Sequence, residues 1–212
     1  MSLPAATFEK VTGAILTGGK SERLGRDKVL LPYGNRPLVV HLHELLKGLF
    51  PRVILVGHLR AELDAFGFEC VEDIIPGKGV LGGIHTALSV SATPFVFIAG
   101  ADMPFLSRSL IAEIADHRSE ADAVIPRGSR GLEPLCALYS SSCLATIEKS
   151  LESGILKVMA ALEGLTVVSP GIETGHSEAD PFANINYPED VEILKSRAKD
   201  GARRAKKNGS SF

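Results

Sequence analysis

A glycine-rich, charged segment near the N-terminus, residues 16–28, has the residue types that bind phosphate. Two adjacent glycines, Gly18 and Gly19, follow an uncharged run, and six of the nine residues after them are charged, four of them basic. The glycines permit positive φ, and backbone N–H groups in such a turn can surround an anion. Arg23 can bind phosphate oxygens as a planar fork and Lys28 as a point charge. We predict a phosphate site here.

Asp102 is the second candidate, because it follows an apolar run, residues 94–99, that is typical of a buried strand. A carboxylate at the end of such a strand is unfavourable unless it is hydrated, paired or bound to metal. Mg²⁺ prefers one or two protein carboxylates together with phosphates and water. Asp102 is therefore a predicted magnesium ligand, with capping of a helix near Leu106 as the alternative.

Two further segments have polar groups or glycines where a ligand could bind. Asp73 ends a short apolar run, and four glycines, Gly82 among them, lie in residues 76–83 before a predicted helix. Their backbone could cover a base or ribose, or the segment is a mobile loop. Asn184 and Asn186 are two apart, so in extended chain both face one side. Either could ligate Mg²⁺ or bind phosphate, and Asn186 could instead cap a helix.

These candidates need a scaffold, and apolar runs that alternate with helical periodicity predict an α/β fold. The sheet is expected to be mostly parallel with helices on both faces. Ligands then bind beyond the carboxyl ends of the strands, where the phosphate segment and Asp102 would meet. Predicted strands are 11–16, 52–56, 68–71, 94–99, 121–126, 134–139 and 165–168. Predicted helices are 36–50, 81–90, 106–117, 141–151, 155–162 and 188–195, with a polar turn at 127–131 and a loop at 171–180.

A P-loop is an alternative interpretation of the first segment, because residues 14–21 fit its relaxed pattern. In a P-loop the strand ends before the first small residue, which here is Ala14. The apolar run instead continues to Leu16, and no apolar-periodic helix begins at Ser21. In the P-loop interpretation only Thr17 and Gly18 would then remain between the strand and Gly19, and two residues are too few to surround a phosphate as a P-loop does. The dinucleotide fingerprint G-x-G-x-x-G is absent.

Composition indicates an ordinary globular protein of one domain. The chain has 212 residues, 45% hydrophobic and 23% charged, without a membrane-length apolar run or a secretory signal pattern. Three cysteines without zinc-site spacing favour free thiols in the cytoplasm. Seven basic residues against one acidic lie in 195–212, leaving 23 − 7 = 16 basic and 25 − 1 = 24 acidic residues elsewhere. We expect no nucleic-acid or membrane binding, and a solvated basic tail, with contact to an anionic partner as the alternative.

The chain resembles the molybdenum cofactor guanylyltransferases in four segments that occur in the family's order. The family opening L-x-G-G-x-S-x-R-M-G-x-D-K is matched except for Leu24 in place of Met. Family G-P-L-x-G has Val80 in place of Pro here, and some members have Asn at the position of Gly57. The matching segments are 16–28, 101–104 for C-D-M-P, 133–139 for E-P-L-x-A-x-Y, and 184–190 for N-I-N-T-P-E-D with Tyr187 in place of Thr.

The resemblance implies a Rossmann-like nucleotidyltransferase that moves GMP from GTP to the phosphate of molybdopterin, releases pyrophosphate and uses Mg²⁺. Residues 10–126 would bind the nucleotide and 127–195 the acceptor, with a basic tail at 196–212. Other molybdenum cofactor biosynthesis proteins are potential partners. The implied catalytic residues are Lys28, Arg23 and Asp102. The implied nucleotide-binding residues are Leu16, Thr17, Gly18, Gly19, Lys28, Asp73, Gly82 and Asp102. Asp102 and Asn184 would bind the metal, and Asn184 and Asn186 the acceptor.

Alternatives within the same fold stay open. Related cytidylyltransferases typically have Ala at the position of Gly18, so the two glycines favour the guanylyl interpretation. Sugar-phosphate nucleotidyltransferases usually have a longer glycine–Thr–Arg opening. A non-catalytic nucleotide-binding relative is the third alternative, although binding alone does not require Arg23, Lys28 and Asp102 together.

Overall fold

The computed structural model describes residues 8–18, 28–58, 61–172 and 180–185, through which a seven-stranded sheet runs. The strands of these residues are β1 (Val11–Leu16), β2 (Pro32–Tyr33), β3 (Arg36–Pro37), β4 (Arg52–Val56), β5 (Glu69–Val71), β6 (Phe95–Gly100), β7 (Ala123–Val124), β8 (Arg127–Gly128), β9 (Gly131–Leu132), β10 (Cys136–Ser140) and β11 (Val167–Val168). The helices are α1 (Leu38–Lys47), α2 (Gly79–Val90), α3 (Arg108–Asp116), α4 (Leu144–Glu152) and α5 (Val158–Ala161). Short 3₁₀ turns are Lys28–Leu30, Ala61–Phe66, Arg118–Glu120 and Ser141–Cys143.

The central sheet has the strand order β11-β7-β10-β6-β1-β4-β5. β10 is antiparallel to both of its neighbours, and the other neighbouring pairs are parallel. Two hairpins, β2–β3 and β8–β9, lie outside this sheet. The predicted α/β fold with a mostly parallel sheet is confirmed.

Helices cover both faces of the sheet. As a result β1 is buried along its whole length, and its side chains alternate between two cores. Ile15 lies in the core that α1 and α3 supply, with Leu42 and Leu110. Leu16 lies in the opposite core, which α2 and α4 supply, with Ile84. Burying one such aliphatic side chain contributes about 1.5–3 kcal/mol. The two cores thus fix the central strands from which the candidate site extends.

The structure corrects several predicted boundaries. The helix expected at 36–50 begins only at Leu38, since Arg36–Pro37 pairs with Pro32–Tyr33 around Gly34, whose φ is 67°. The polar turn at 127–131 forms the β8–β9 hairpin. The helix expected at 155–162 is a single turn, Val158–Ala161. The helix predicted at 188–195, the tail 196–212 and residues 173–179 of the predicted loop lie outside the described residues. In the described part of the chain, every helix is too short or too polar to cross a membrane.

Candidate active site

The loops that follow β1, β4 and β6 begin at one edge of the sheet. Leu16 pairs in register with Val56 on one side and with Gly100 on the other, so the three strands end level. Thr17 donates its N–H to the Val56 carbonyl at 2.8 Å and its hydroxyl to the same oxygen at 3.1 Å. The Ala101 N–H donates to the Leu16 carbonyl at 3.2 Å. The structure therefore brings Thr17 and Gly18 to the edge at which Asp102 lies.

Gly57, at the end of β4, lets the loop after β1 approach closely. Its φ is 129°, and a Cβ there would lie 2.8 Å from the Gly18 nitrogen and 2.9 Å from the Thr17 hydroxyl oxygen. Gly18 itself does not use the positive φ that glycine permits. Thr17 still pairs with β4 as a strand residue does, so no left-handed turn is needed there. A Cβ at Gly18 would meet no atom of the described residues within 4 Å.

The remaining residues of the predicted phosphate segment are described only in part. Gly19 and Arg23 lie outside the described residues, and Lys28 begins the turn Lys28–Leu30. Leu16 is buried, and a Cβ at Gly83 on α2 would lie 3.1 Å from its side chain. Its carbonyl already accepts the Ala101 N–H. The Leu16 side chain therefore anchors the start of the loop after β1 in the core.

Asp102 lies two residues beyond β6, and its carboxylate turns back towards the strand end. A Cβ at Gly100 would lie 3.0 Å from Oδ1 of Asp102, so glycine leaves room for the carboxylate there. The helix-capping alternative for Asp102 is wrong. Ser107 caps α3, because its hydroxyl oxygen accepts the Leu110 N–H at 3.3 Å.

Asn184 lies beside Asp102, because the next residue, Ile185, donates its N–H to the Asp102 carbonyl at 3.0 Å. Oδ1 of Asn184 is buried and has no hydrogen-bond partner among the described residues. A buried acceptor without a partner is unfavourable, and it is accounted for if a ligand binds it. A carboxylate and an amide oxygen are donors that suit Mg²⁺. The described residues contain no group of three or more His, Cys, Asp and Glu placed to bind a metal. Asn186 lies outside them.

Asp73 and Gly82 lie where the chain passes from β5 into α2. Burial raises the pKa of the half-buried Asp73 carboxyl. The next residue, Ile74, donates its N–H to the hydroxyl of Thr86 on α2 at 3.0 Å. A Cβ at Gly82 would lie 2.8 Å from that of Lys78, so glycine allows the preceding loop to pack on the first turn of α2. In a right-handed crossover between parallel strands, this first turn lies at the carboxyl edge, where its N–H groups favour anions.

Glu133 is a residue at this edge to which the sequence analysis gave no role. It comes three residues before β10, which begins beside Ala99 near the carboxyl end of β6. Burial raises the pKa of the Glu133 carboxyl, Arg130 opposes that rise, and Asp180 adds to it. Its presence in the E-P-L segment was the signal that could have identified it.

Comparison with known proteins identifies the family. The model of the MobA-like NTP transferase domain matches residues 13–166. The chain belongs to the MobA-like NTP transferase family. Ala14 lies within β1 of this structure, so the P-loop interpretation of residues 14–21 is wrong.

Relatives and one solved structure of the MobA-like family match almost the whole chain. A probable molybdenum cofactor guanylyltransferase of Pelotomaculum thermopropionicum is 34% identical over 185 residues, which are 86% of this chain and 90% of the relative. A molybdenum cofactor guanylyltransferase of Desulfosudis oleivorans is 32% identical over 92% of this chain and 98% of the relative. The structure of molybdopterin-guanine dinucleotide biosynthesis protein A from Archaeoglobus fulgidus has a TM-score of 0.76 and 26% identity, and covers 89% of this chain and 99% of that one.

Proposed function

We propose that the protein transfers GMP from GTP to the terminal phosphate of a molybdopterin-type acceptor and releases pyrophosphate, with Mg²⁺ as cofactor. The observation that carries this proposal is the meeting of the Thr17–Gly18 loop, Asp102 and Asn184 at one sheet edge. The relatives that match this chain over nearly its full length are named molybdenum cofactor guanylyltransferases. The guanylyl assignment is favoured over the cytidylyl and sugar-phosphate alternatives by the same relatives.

The proposed chemistry needs positioning and charge neutralisation more than proton transfer. The acceptor is a phosphate monoester with a second pKa near ~6, so it is largely dianionic at neutral pH. One of its oxygens attacks the α-phosphorus of GTP, the bond from that phosphorus to the bridging oxygen breaks, and pyrophosphate leaves with the electron pair. No general base is required. What the protein must supply is alignment and positive charge.

On the nucleotide side, the proposal assigns phosphate contacts to the segment after β1. Residues 16–19 hold the nucleotide at Gly18, where a Cβ would meet no described atom within 4 Å. Lys28 offsets charge at the α-phosphate, and Arg23 steadies the pyrophosphate leaving group. Asp73 and Gly82 contribute contacts to the nucleoside from the β5–α2 passage. The first turn of α2 adds its partial positive charge.

On the metal and acceptor side, the proposal assigns the ligands to Asp102 and Asn184. Two observations support this assignment: Oδ1 of Asn184 is buried without a partner among the described residues, and the next residue, Ile185, bonds the Asp102 carbonyl. Mg²⁺, when bound, would supply the positive charge that lets the anionic acceptor and nucleotide phosphates approach each other. Asn184 and Asn186 orient the acceptor phosphate.

The proposed function also implies two halves of one domain and a cytoplasmic location. Residues 1–212 form one nucleotidyltransferase domain, with the nucleotide half at about 10–126 and the acceptor half at about 127–195. The acceptor would be received in the cytoplasm from other proteins of molybdenum cofactor synthesis. Neither nucleic acid nor membrane takes part.

Thermal unfolding with GTP, CTP and ATP, each with and without Mg²⁺, tests the binding half of the proposal. A nucleotide at ~100 times its dissociation constant adds about 2.7 kcal/mol, a shift of a few degrees. We expect the largest shift with GTP and Mg²⁺, and Asp102→Asn is expected to lose only the Mg²⁺-dependent part. A preference for CTP would assign the protein to cytidylyl transfer. No shift with any nucleotide, at concentrations up to millimolar, would contradict the proposal.

A further inference from the structure

The described residues 180–185, here called the strap, contact the β8–β9 hairpin at one end and Asp102 at the other. At the hairpin end, Arg130 donates from Nη2 to the Phe182 carbonyl at 2.6 Å. Its Nε lies 3.9 Å from Oδ2 of Asp180, and the Ser129 hydroxyl donates to the same oxygen at 3.3 Å. Oδ1 of Asp180 accepts the Phe182 N–H at 2.9 Å. The Phe182 carbonyl is thus bonded by Arg130 of the hairpin, and the Phe182 N–H by Asp180, which the hairpin residues Ser129 and Arg130 contact in turn.

Packing adds to these hydrogen bonds. The Phe182 side chain is fully buried, and it lies against the backbone of Gly128. A Cβ at Gly128 would lie 2.6 Å from the Phe182 ring, closer than side chains pack. The hairpin therefore accepts this ring only because residue 128 is glycine. At the other end of the strap, the buried Ile185 donates its N–H to the Asp102 carbonyl at 3.0 Å.

Asn184 lies between these two anchors. Its Oδ1 is buried without a partner among the described residues, although the segment on each side of it is fixed. Solvation would favour a rotation of the strap that exposes this oxygen to water. The hydrogen bonds of Arg130 and Ile185 oppose that rotation. The strap thus holds in place a buried acceptor to which none of the described residues donates.

We propose that Arg130 is a positioning residue for the metal site: it holds the strap so that Asn184, next to the Ile185 N–H that bonds the Asp102 carbonyl, keeps its place. The proposal rests on the metal site of the proposed function. Residues that orient metal ligands typically change metal affinity 10–100-fold when they are removed. Arg130 suits this role because a guanidinium can bond a carbonyl and a carboxylate at once, which Lys does less well. Through it, the hairpin of the acceptor half is connected to the metal ligands.

Arg127 provides a matched control on the same hairpin. Its exposed side chain makes no hydrogen bond or ion pair to any described residue, whereas its backbone bonds to residues 170 and 172. Arg127→Met and Arg130→Met remove the same charge from neighbouring positions. The Arg130 side chain is 53% exposed, so its replacement opens no cavity in the core.

The experiment measures Mn²⁺ binding to the protein with GTP and without acceptor, by electron paramagnetic resonance of free Mn²⁺. We expect R130M to weaken Mn²⁺ binding about tenfold, R127M to leave it unchanged, and R130K to recover part of the loss. Equal Mn²⁺ affinity in R130M and R127M would overturn the proposal. Wild-type protein that binds no Mn²⁺ with GTP would overturn both the metal site and the role of Arg130.

A double variant separates positioning from general stabilisation. If Arg130 acts through Asn184, R130M has no further effect on Mn²⁺ affinity once Asn184→Ala has removed the oxygen. The N184A/R130M protein is therefore expected to bind Mn²⁺ as N184A does. Additive losses in the double variant would show that Arg130 does not act through Asn184, and would overturn the proposal.

Discussion

The two ends of β1 differ in how the polar groups around them are bonded. At the amino end, the Thr12 hydroxyl bonds that of Thr93 at 2.8 Å and accepts from the Ser91 hydroxyl at 3.1 Å. Thr93 in turn donates to the Phe95 carbonyl at 2.8 Å. At the carboxyl end, Oδ1 of Asn184 is buried without a partner among the described residues. Among the described residues, the hydroxyls at the amino end bond one another, whereas the carboxyl end has a buried acceptor without a partner.

Carboxylates show the same contrast between the two edges. At the amino edge, hydrogen bonds from Arg52 lower the pKa of Glu69, and the Ser142 hydroxyl and Thr166 N–H lower that of Asp122. At the carboxyl edge, burial raises the pKa of Asp73 and of Glu133. Groups with pKa values raised by burial in a cleft are typical of functional sites. This contrast agrees with the proposed function, in which the amino edge serves stability and the carboxyl edge serves binding.

The largest effect is expected at Asp102. Asp102→Ala should lower pyrophosphate release from GTP and acceptor on the order of a thousandfold, because charge stabilisation at the reacting phosphates is lost. The variant should stay folded, since Ser107 and not Asp102 caps α3. Steady-state kinetics and a thermal scan measure both. Near wild-type turnover with Mg²⁺ would remove Asp102 from the metal site and weaken the contrast between the edges.

Asn184→Ala should separate binding from stability at the carboxyl edge. The Mg²⁺ concentration for half-maximal rate should rise about tenfold, as expected for loss of one ligand or its orientation. The free energy of unfolding should not fall, because the change removes a buried oxygen that has no partner in the described chain. Metal titration and urea unfolding measure the two. A clear loss of stability with unchanged Mg²⁺ dependence would make Asn184 structural.

Thr12→Val is the matching change at the amino edge. It keeps the shape of the side chain but removes the hydroxyl that bonds Thr93 and Ser91. The free energy of unfolding should fall by about 1–2 kcal/mol, because hydroxyl partners are left less satisfied. Pyrophosphate release should keep its wild-type rate at temperatures where the variant is folded. Loss of activity in the folded variant would contradict the division of roles between the two edges.

The smallest effects are changes in the pH dependence of stability, and they should have opposite signs at the two edges. The folded pKa of Glu133 lies above its ordinary value, so wild-type stability falls as pH rises between those two values. Glu133→Gln removes that fall. The folded pKa of Asp122 lies below its ordinary value, so its contribution is present above 3.8 and is lost as pH falls through the lowered folded value.

Urea unfolding of the two variants from pH 3 to 7 measures this difference. Relative to wild type, Glu133→Gln should become more stable as pH rises, and Asp122→Asn should become less stable. The same sign at both positions would show that burial and hydrogen bonding do not distinguish the two edges.

The sequence predicted the features that depend on local pattern. The buried runs at 11–16 and 52–56 became β1 and β4 with the predicted bounds, because apolar strands of a parallel sheet are recognisable by composition. The meeting of Asp102 with the Thr17 loop followed from the rule that carboxyl ends of parallel strands share an edge. The role of Ser107 as the α3 cap was missed, although Ser before a helix is a common signal.

The features that depend on contacts between distant residues could not be predicted. No local pattern indicates that Arg130 bonds Phe182, 52 residues away, or that Gly128 receives the Phe182 ring. The β8–β9 hairpin had the polar composition of a turn, and its pairing is supported by tertiary packing. Gly57 needed glycine because Thr17 and Gly18 lie against it, a reason that only the fold supplies.

Pyrophosphate release with purified molybdopterin acceptor, Mg²⁺ and each of GTP, CTP and ATP tests the central claim most directly. The account predicts one pyrophosphate released per acceptor consumed with GTP, far slower release with the other nucleotides, and release with GTP about a thousandfold slower in Asp102→Ala. Transfer with CTP in preference to GTP would contradict the guanylyl assignment. Absence of pyrophosphate with all three nucleotides, from protein that binds GTP, would contradict nucleotidyl transfer at the carboxyl edge.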